Sequence, residues 1–364
     1  MTNYQGMPPL EHRPQITSFF EFWPSQIIYL PVVAQWLGLS LKYRSFSLPL
    51  IANPTIPLAG MVGESKSGIL GLAGDYARTF IAPWVVCKKK TDTIEAQVNA
   101  ALNTLQQANI HFPIVAKPDQ GCRGAGVWKV NDAQRLADYI RAFPNGHSFI
   151  LQHLSAYQPE VGIFYIRLPN EQQGKIISIT LKYQPFIVGN GQHTVRELIL
   201  QDQRAAQLTD VYFPRLHERL HEVLPIGEQL QLAFAGNHCR GSLFRNGNAH
   251  ITPALTRALD MVLADVDGFY YGRLDVRFSD IDALMRGENF DIIEINGAAS
   301  EATHIWDPST RLHEVYDALF LQYRTLFVIG DQLRQQGHQP PSVIDLLKAW
   351  WQERQLVSHY PATD

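Results

Sequence analysis

Two short segments constrain this chain more than any others. Tyr271–Phe278 (YGRLDVRF) and Phe290–Asn296 (FDIIEIN) are apolar runs of strand length that carry charges at alternate positions. Successive side chains of a strand point to opposite faces. Arg273, Asp275 and Arg277 therefore share one face, and Leu274, Val276 and Phe278 the other. By the same alternation Glu294 and Asn296 are expected to share a face with Ile292. If the strands pair, an Asp, a Glu and an Asn converge beside an arginine. Such hard oxygen ligands suit Mg²⁺, which keeps several waters and grips phosphate oxygens. A merely solvated face fits poorly, because Glu294 stands between Ile293 and Ile295 in an otherwise apolar strand.

A second cluster lies upstream. FPIVAKP (112–118) reads as a strand ending in Lys117, followed by the glycine-rich turn DQGCRGAG (119–126) and a second strand at 127–130. Glycines 121, 124 and 126 leave backbone N–H groups free to approach phosphate oxygens, since no Cβ blocks them. Lys117 adds a point charge for the same oxygens.

The rest of the chain supplies the frame. Its 364 residues suggest two or three domains of roughly 150 residues each. A net charge of −3 gives no basic field for nucleic acid. Three scattered cysteines, Cys87, Cys122 and Cys239, form neither a disulfide framework nor a metal pattern, which fits a reducing compartment. The polar, Pro-rich start does not read as a signal peptide, so a cytoplasmic location is expected. Phe22–Leu41 carries no charge and is long enough to touch or cross a bilayer. Pro24 and Pro31 are expected to interrupt any helix there, which leaves packing within the protein or membrane contact. The spacing of Ile94, Val98, Ala101, Leu102 and Leu105 predicts a helix capped by Asp92 or Thr93, and another is expected over 132–142. Strands are expected at 148–152, 161–168 and 176–183. Thr194 with Glu197 has the spacing of a capping box, and Thr252-Pro253 opens a further helix. Residues 310–357 read as two amphipathic helices broken at 337–341, with a stripe suited to core or dimer packing. The expected fold class is α+β.

Together the two clusters resemble the ATP-grasp superfamily, and within it the D-alanine–D-alanine ligases and the carboxylate–amine ligase part of cyanophycin synthetase. The resemblance spans about residues 90–310 and is carried by FPIVAKPDQGCRGAGV, FILQHLSAYQPEVGIFYIRL, FIVGNGQHTVRELI, GNHCRGSLF and GRLDV…DIIEINGAASEATH, which occur in the family's order. It implies two α+β lobes clasping ATP, with an atypical N-terminal region (1–90), a small lobe (91–185), a large lobe (186–310) and a C-terminal helical extension (311–364). It also implies an enzyme joining a carboxylate to an amine through an acyl phosphate, with ATP and two Mg²⁺ ions (Mn²⁺ as a substitute).

Residue by residue, the resemblance places Lys117 on the ATP phosphates under Gly121, Cys122, Arg123, Gly124 and Ala125. Gln152 and Leu154 would meet the adenine, Glu160 the ribose, and Lys182 the phosphates. Asp275, Glu294 and Asn296 would hold the metals. Arg273 would stabilise the transferred phosphoryl group, with Asn237 and Arg240 lining the same region. Ser300, Thr303 and His304 would face the acceptor. Two departures stand out: Gln152 replaces a glutamate common in the family, and the upstream ATP lysine is unplaced among Lys88, Lys89 and Lys90. Expected partners are small-molecule carboxylate and amine substrates, with homo-oligomerisation and membrane contact through Phe22–Leu41. A small-molecule kinase and a non-catalytic ATP-binding scaffold at a membrane are the competing readings. GMVGESKS (60–67) approaches a P-loop but has Ser65 for the second glycine and no preceding strand, so it reads as a helix start with Lys66 towards substrate.

Overall fold

The structure is a computed structural model that describes residues 4–10, 23–121, 124–234 and 236–364. Two antiparallel sheets organise it. The first has the order β1 (Trp84–Lys88), β4 (Ser148–His153), β2 (Ile114–Pro118), β3 (Trp128–Val130). Helices Ile94–Gln107 and Ala133–Ala142 cover one face through Val98, Leu105, Leu136 and Ile140, which pack on Ile114, Ala116 and Leu151. Thr93 caps the first helix and Asp132 the second, each accepting a backbone N–H.

The second sheet has the order β11 (Phe290–Asn296), β10 (Tyr271–Phe278), β5 (Glu160–Ile166), β6 (Lys175–Tyr183), β9 (Leu243–Asn246). Thus β5 and β6, within the range 91–185, pair with β10, and the four-stranded lobe ends at His153. One face carries Val161, Ile163, Ile179, Leu181, Leu274 and Val276 and is covered by helix Pro253–Ala264. A third unit pairs β7 (Phe186–Val188) with β8 (Gln229–Gln231) beside helix Val195–Gln201, where Thr194 and Glu197 complete the expected capping box.

The alternation inferred for the last strand is only half met. Asp275 pairs with Glu294 but Val276 pairs with Ile292, so Ile293 is an extra residue, a β-bulge. Ile292 consequently joins the apolar core with Ile295, on the face opposite Glu294 and Asn296.

The N-terminal region is ordered by the large sheet. Helix Ser25–Tyr43 runs through Pro31 instead of breaking. Ile28 and Val32 are buried, Val32 against Val315 and Leu319 of helix Leu312–Gln335, and this packing offsets the hydrogen bond that proline cannot donate. Among the described residues no helix is long and apolar enough to cross a membrane. The two C-terminal helices, Leu312–Gln335 and Val343–Val357, are separated as expected at 337–341.

Asn53 joins this region to β10. Fully buried, it donates to the carbonyls of Ala59 (3.1 Å) and Tyr271 (2.9 Å) and accepts from the amides of Tyr270 and Tyr271. Replacement Asn53→Ala would orphan buried backbone groups and is expected to cost about 2–4 kcal/mol, read as a lowered denaturation midpoint at unchanged slope.

Candidate active site

The face of the five-stranded sheet turned away from helix Pro253–Ala264 is where alternation brings charge together, next to Phe164 and Tyr271 packed under helix Leu312–Gln335. Across it the register aligns Glu294, Asp275, Gly162 and Thr180 in one row, with Arg277, Glu160 and Lys182 in the next and Asn296, Arg273, Phe164 and Ser178 on the other side. Lys182 Nζ lies 2.8 Å from Glu160 Oε1 and 2.9 Å from Asp275 Oδ1, and its side chain is 3% exposed. Gly162 beneath it makes this possible, since a Cβ there would stand 3.2 Å from Arg273 Cδ and 3.5 Å from Lys182 Cε. Each carboxylate has a second cation: Arg277 Nη2 on Glu160 Oε2 at 3.2 Å, and Arg273 Nε on Asp275 Oδ1 at 3.0 Å.

These contacts fix the charge states. Burial opposes the charge on Asp275, yet Arg273 and Lys182 hold its carboxyl at about 2. Burial alone would lower Lys182, but Asp275 and Glu160 more than offset it and raise its pKa. Asp275 and Lys182 are therefore both ionised at neutral pH.

The four-stranded lobe faces this row. Lys117 and Gln152 lie on the face of their sheet opposite its helices. Lys117 Nζ donates to the carbonyl of Ile293 at 3.0 Å, so the bulge residue is the acceptor that ties one lobe to the other. Burial, with Lys66 nearby, pulls the Lys117 pKa down to about 8 although Glu294 favours its charge. Gln152 is buried and donates to Ala82 O at 3.0 Å, while Leu154 is half-buried in the link to β5. Of the three candidate upstream lysines, Lys89 is turned into its own lobe, donating to the carbonyls of Arg141 and Phe143 at the end of helix Ala133–Ala142.

The glycine-rich turn is held from two sides. Gly121 and Gly126 have positive φ (142° and 68°), and Cys122 and Arg123 lie outside the described residues. On one side Ser65 Oγ donates to Asp119 Oδ2, Ser67 N to Asp119 Oδ1 (both 2.8 Å), and Lys66 Nζ to Gly121 O at 2.8 Å. On the other, Tyr360 donates to Gln120 O at 2.6 Å, and Thr363 Oγ1 bridges Gly124 O and Gly126 N on either side of Ala125.

Around the row, the turn 236–242 packs on Glu160, where a Cβ on Gly236 would stand 2.5 Å from Oε1. Asn237 and Arg240 belong to this turn, and the Arg240 carbonyl accepts the Tyr212 hydroxyl. Beyond Asn296, Ser300 Oγ donates to Gly297 O (2.6 Å), Thr303 Oγ1 to Thr180 Oγ1 (3.1 Å), and His304 Nδ1 lies 2.7 Å from Ser178 Oγ. Burial lowers the His304 pKa, so the ring is neutral at pH 7.

Two site groups, Glu64 and Asp119, were given no site role in the sequence reading, and Arg277 was placed on the charged face of its strand but without a partner. Glu64 Oε2 accepts Gly297 N at 2.8 Å, and Lys66 Nζ lies 3.5 Å from Glu294 Oε1. The signal was present, because Glu64 is the first charge after a wholly uncharged run from 45 to 63. Burial pushes the Glu64 carboxyl up from 4.5 to about 7, against the Gly297 amide, Lys66 and Arg273 and with Glu294.

Two outcomes are expected. Lys182→Met would leave two buried carboxylates short of a cation and cost about 3–5 kcal/mol in chemical denaturation. For Glu64 the folded state holds the proton more tightly than the unfolded chain, so its contribution falls as pH rises from 4.5 through about 7. In chelator-treated buffer, Glu64→Gln should gain on the wild type by on the order of 2 kcal/mol between about pH 5 and pH 8.

No protein-family profile and no curated protein matches this chain. Among solved structures it is similar to a bifunctional glutathione synthetase from Pasteurella multocida (14% identity, TM-score 0.35, 71% of this chain and 36% of that one). It is also similar to a D-alanine–D-alanine ligase from Bacillus anthracis (11%, 0.39, 76% and 73%). A third is the VanG D-Ala:D-Ser ligase from Enterococcus faecalis (13%, 0.37, 72% and 64%). The chain thus spans about a third of the length of the glutathione synthetase it matches. Each of the three is named as a ligase or synthetase.

Proposed function

We propose that this protein is an ATP-dependent carboxylate–amine ligase. The observation that carries the reading is the convergence of Lys117, Lys182 and Arg273 with Asp275 and Glu294 in one cleft between two antiparallel sheets. A carboxylate is a poor electrophile and must first be activated. In the proposed reaction a substrate carboxylate oxygen attacks the γ-phosphorus of ATP, the bond to the bridging oxygen breaks, and ADP leaves. The amine nitrogen then attacks the acyl carbon, the bond to the phosphate oxygen breaks, and the amine proton passes to solvent as phosphate departs. Neither step needs a protein nucleophile, and both need positioned positive charge.

The residues support such a division of work. Lys117 and Lys182 approach from opposite lobes and would bind phosphate oxygens. Arg273 would meet the charge that gathers on the transferred group. Gln152 and Leu154 would line the adenine, and Glu160 the ribose side. The glycine turn, with Gly121, Gly124 and Ala125, would cover the phosphates. Ser300, Thr303 and His304 stand at the far end of the row, where an acceptor would sit.

The donor set also fits Mg²⁺. Among the described residues no group of three or more His, Cys, Asp and Glu side chains could hold a metal. The candidate set is instead two carboxylates in register, Asp275 and Glu294, plus the Asn296 amide, all hard oxygen donors. Asp275 stays ionised, and Asn296 Nδ2 donates to Arg273 O at 3.4 Å, a weak tether for its amide. Bound there, Mg²⁺ would neutralise phosphate charge and orient the triphosphate.

The test is ADP release from Mg-ATP over pooled carboxylates with hydroxylamine as a generic amine. Hydroxamate formed together with ADP supports the ligase, whereas a stable phosphorylated product without hydroxamate indicates a kinase. Asp275→Asn and Glu294→Gln are each expected to lower Mg²⁺-dependent turnover by about 10²-fold or more while the far-UV spectrum persists. Undiminished turnover would remove them as metal ligands.

A further inference from the structure

The turn 64–67 comes from the N-terminal region, outside the segment that carries the resemblance, yet it is built into the cleft. Four contacts lock it to the glycine-rich turn: the Ser65 hydroxyl and the Ser67 amide on the Asp119 carboxylate, Lys66 N on Asp119 O at 2.9 Å, and a β-bridge between Ser65 and Gln120. Ser65 also caps the short helix Lys66–Leu70 by accepting Gly68 N, which fixes the direction in which Lys66 leaves the backbone.

Lys66 then crosses from one lobe to the other. Its ammonium donates to Gly121 O at 2.8 Å on the glycine-rich turn and stands 3.5 Å from Glu294 Oε1 on β11, with its side chain 11% exposed. Lys117 arrives at the neighbouring residue, on Ile293 O. Two sequestered ammonium groups thus stand beside Glu294, and Lys66 opposes the charge on Lys117. At 3.5 Å Glu294 is an ion-pair partner and not a short hydrogen-bond acceptor, and the other acceptor is a neutral carbonyl. An anion with several oxygens, placed between the glycine-rich turn and Glu294, would satisfy both lysines at once.

We propose that Lys66 is a phosphate-binding residue of this site, a cation supplied by the N-terminal turn that contacts the phosphate chain of the nucleotide. The inference rests on the ATP-dependent reading above and extends it by one residue and one segment. It assigns residues 64–67 to the nucleotide site, with Asp119 as the positioning residue that holds Lys66 to the glycine-rich turn.

The experiment compares binding of Mg-ATP and of adenosine by calorimetry for the wild type, Lys66→Met and Lys66→Arg, together with thermal melting. The expected result is that Lys66→Met weakens Mg-ATP binding by about 10-fold or more and leaves adenosine binding within about 2-fold, while Lys66→Arg keeps most of the ATP affinity. Lys66→Met with wild-type affinity for both ligands would overturn the proposal and leave the ligase reading standing. Equal weakening for both, accompanied by a lower melting temperature, would also overturn it and make Lys66 a structural staple. A wild type that binds neither ligand would overturn this proposal and the nucleotide reading together.

Discussion

A lysine ammonium held between two carboxylates above a glycine is the interaction on which this structure depends. Removing Lys182 from water is tolerable only because Glu160 and Asp275 stand within 2.9 Å, and those carboxylates are tolerable only because Arg277 and Arg273 complete them. The network joins three adjacent strands, β6, β5 and β10, and so reads out their register. A slip of β6 by one residue would turn Lys182 onto the apolar face beneath helix Pro253–Ala264 and strip Glu160 and Asp275 of the cation they share. Gly162 is part of the same constraint, because it opens the sheet surface at the one row where the lysine crosses between its partners. The candidate site and the fold's specificity therefore rest on the same side chains.

The two lobes meet by a different device. Where the large sheet pairs charge with charge, the small sheet reaches across with a lysine that seeks a backbone carbonyl. The β-bulge at Ile293 sets β11 out of phase, keeping Ile292 in the core while Glu294 faces the cleft, and the carbonyl between them receives Lys117. The glycine-rich turn is then tied to neither sheet alone. Asp119 holds it to the 64–67 turn, and Tyr360 and Thr363 hold it from the C-terminal side. Segments more than 200 residues apart in sequence thus converge on one turn, so its shape is a property of the whole chain.

This explains which parts were legible in the sequence. Period-two alternation located β10 and β11 and put Arg273, Asp275 and Glu294 on one face, because burial of one side of a strand leaves a clear pattern. Helix caps at Thr194 and, as one of two candidates, Thr93 were legible because the partner lies three residues away. The bulge was not, since Ile293 is as apolar as its neighbours and nothing in composition marks an inserted residue. Pro31 misled for a related reason: local propensity argued against a helix that packing on residues 312–335 sustains. Asn53, Asp119 and the Tyr360 segment act only through distant partners, so no window of sequence could show them. Glu64 lies between these cases, conspicuous after an uncharged run yet with no local sign of Gly297 as its partner.

The balance of charge in the cleft closes the argument. Glu160 and Asp275 are each already paired with two cations, so they contribute little towards neutralising what the other lobe brings. That leaves Glu294, and Glu64 in whichever form pH allows, to face Lys66 and Lys117. A metal ion at Glu294 would add positive charge and sharpen the imbalance. The arrangement is complementary to a ligand that carries several negative charges and spans the distance from the glycine-rich turn to β11. A polyphosphate meets both conditions, and a single carboxylate does not. The other end of the row differs in kind: Ser178, Thr180, Thr303 and a neutral His304 offer hydrogen bonds without net charge. One face of one sheet thus grades from charged pairs beside Lys66 and Lys117 to a neutral polar end, and the proposed reaction would set phosphates at the first and a small acceptor at the second.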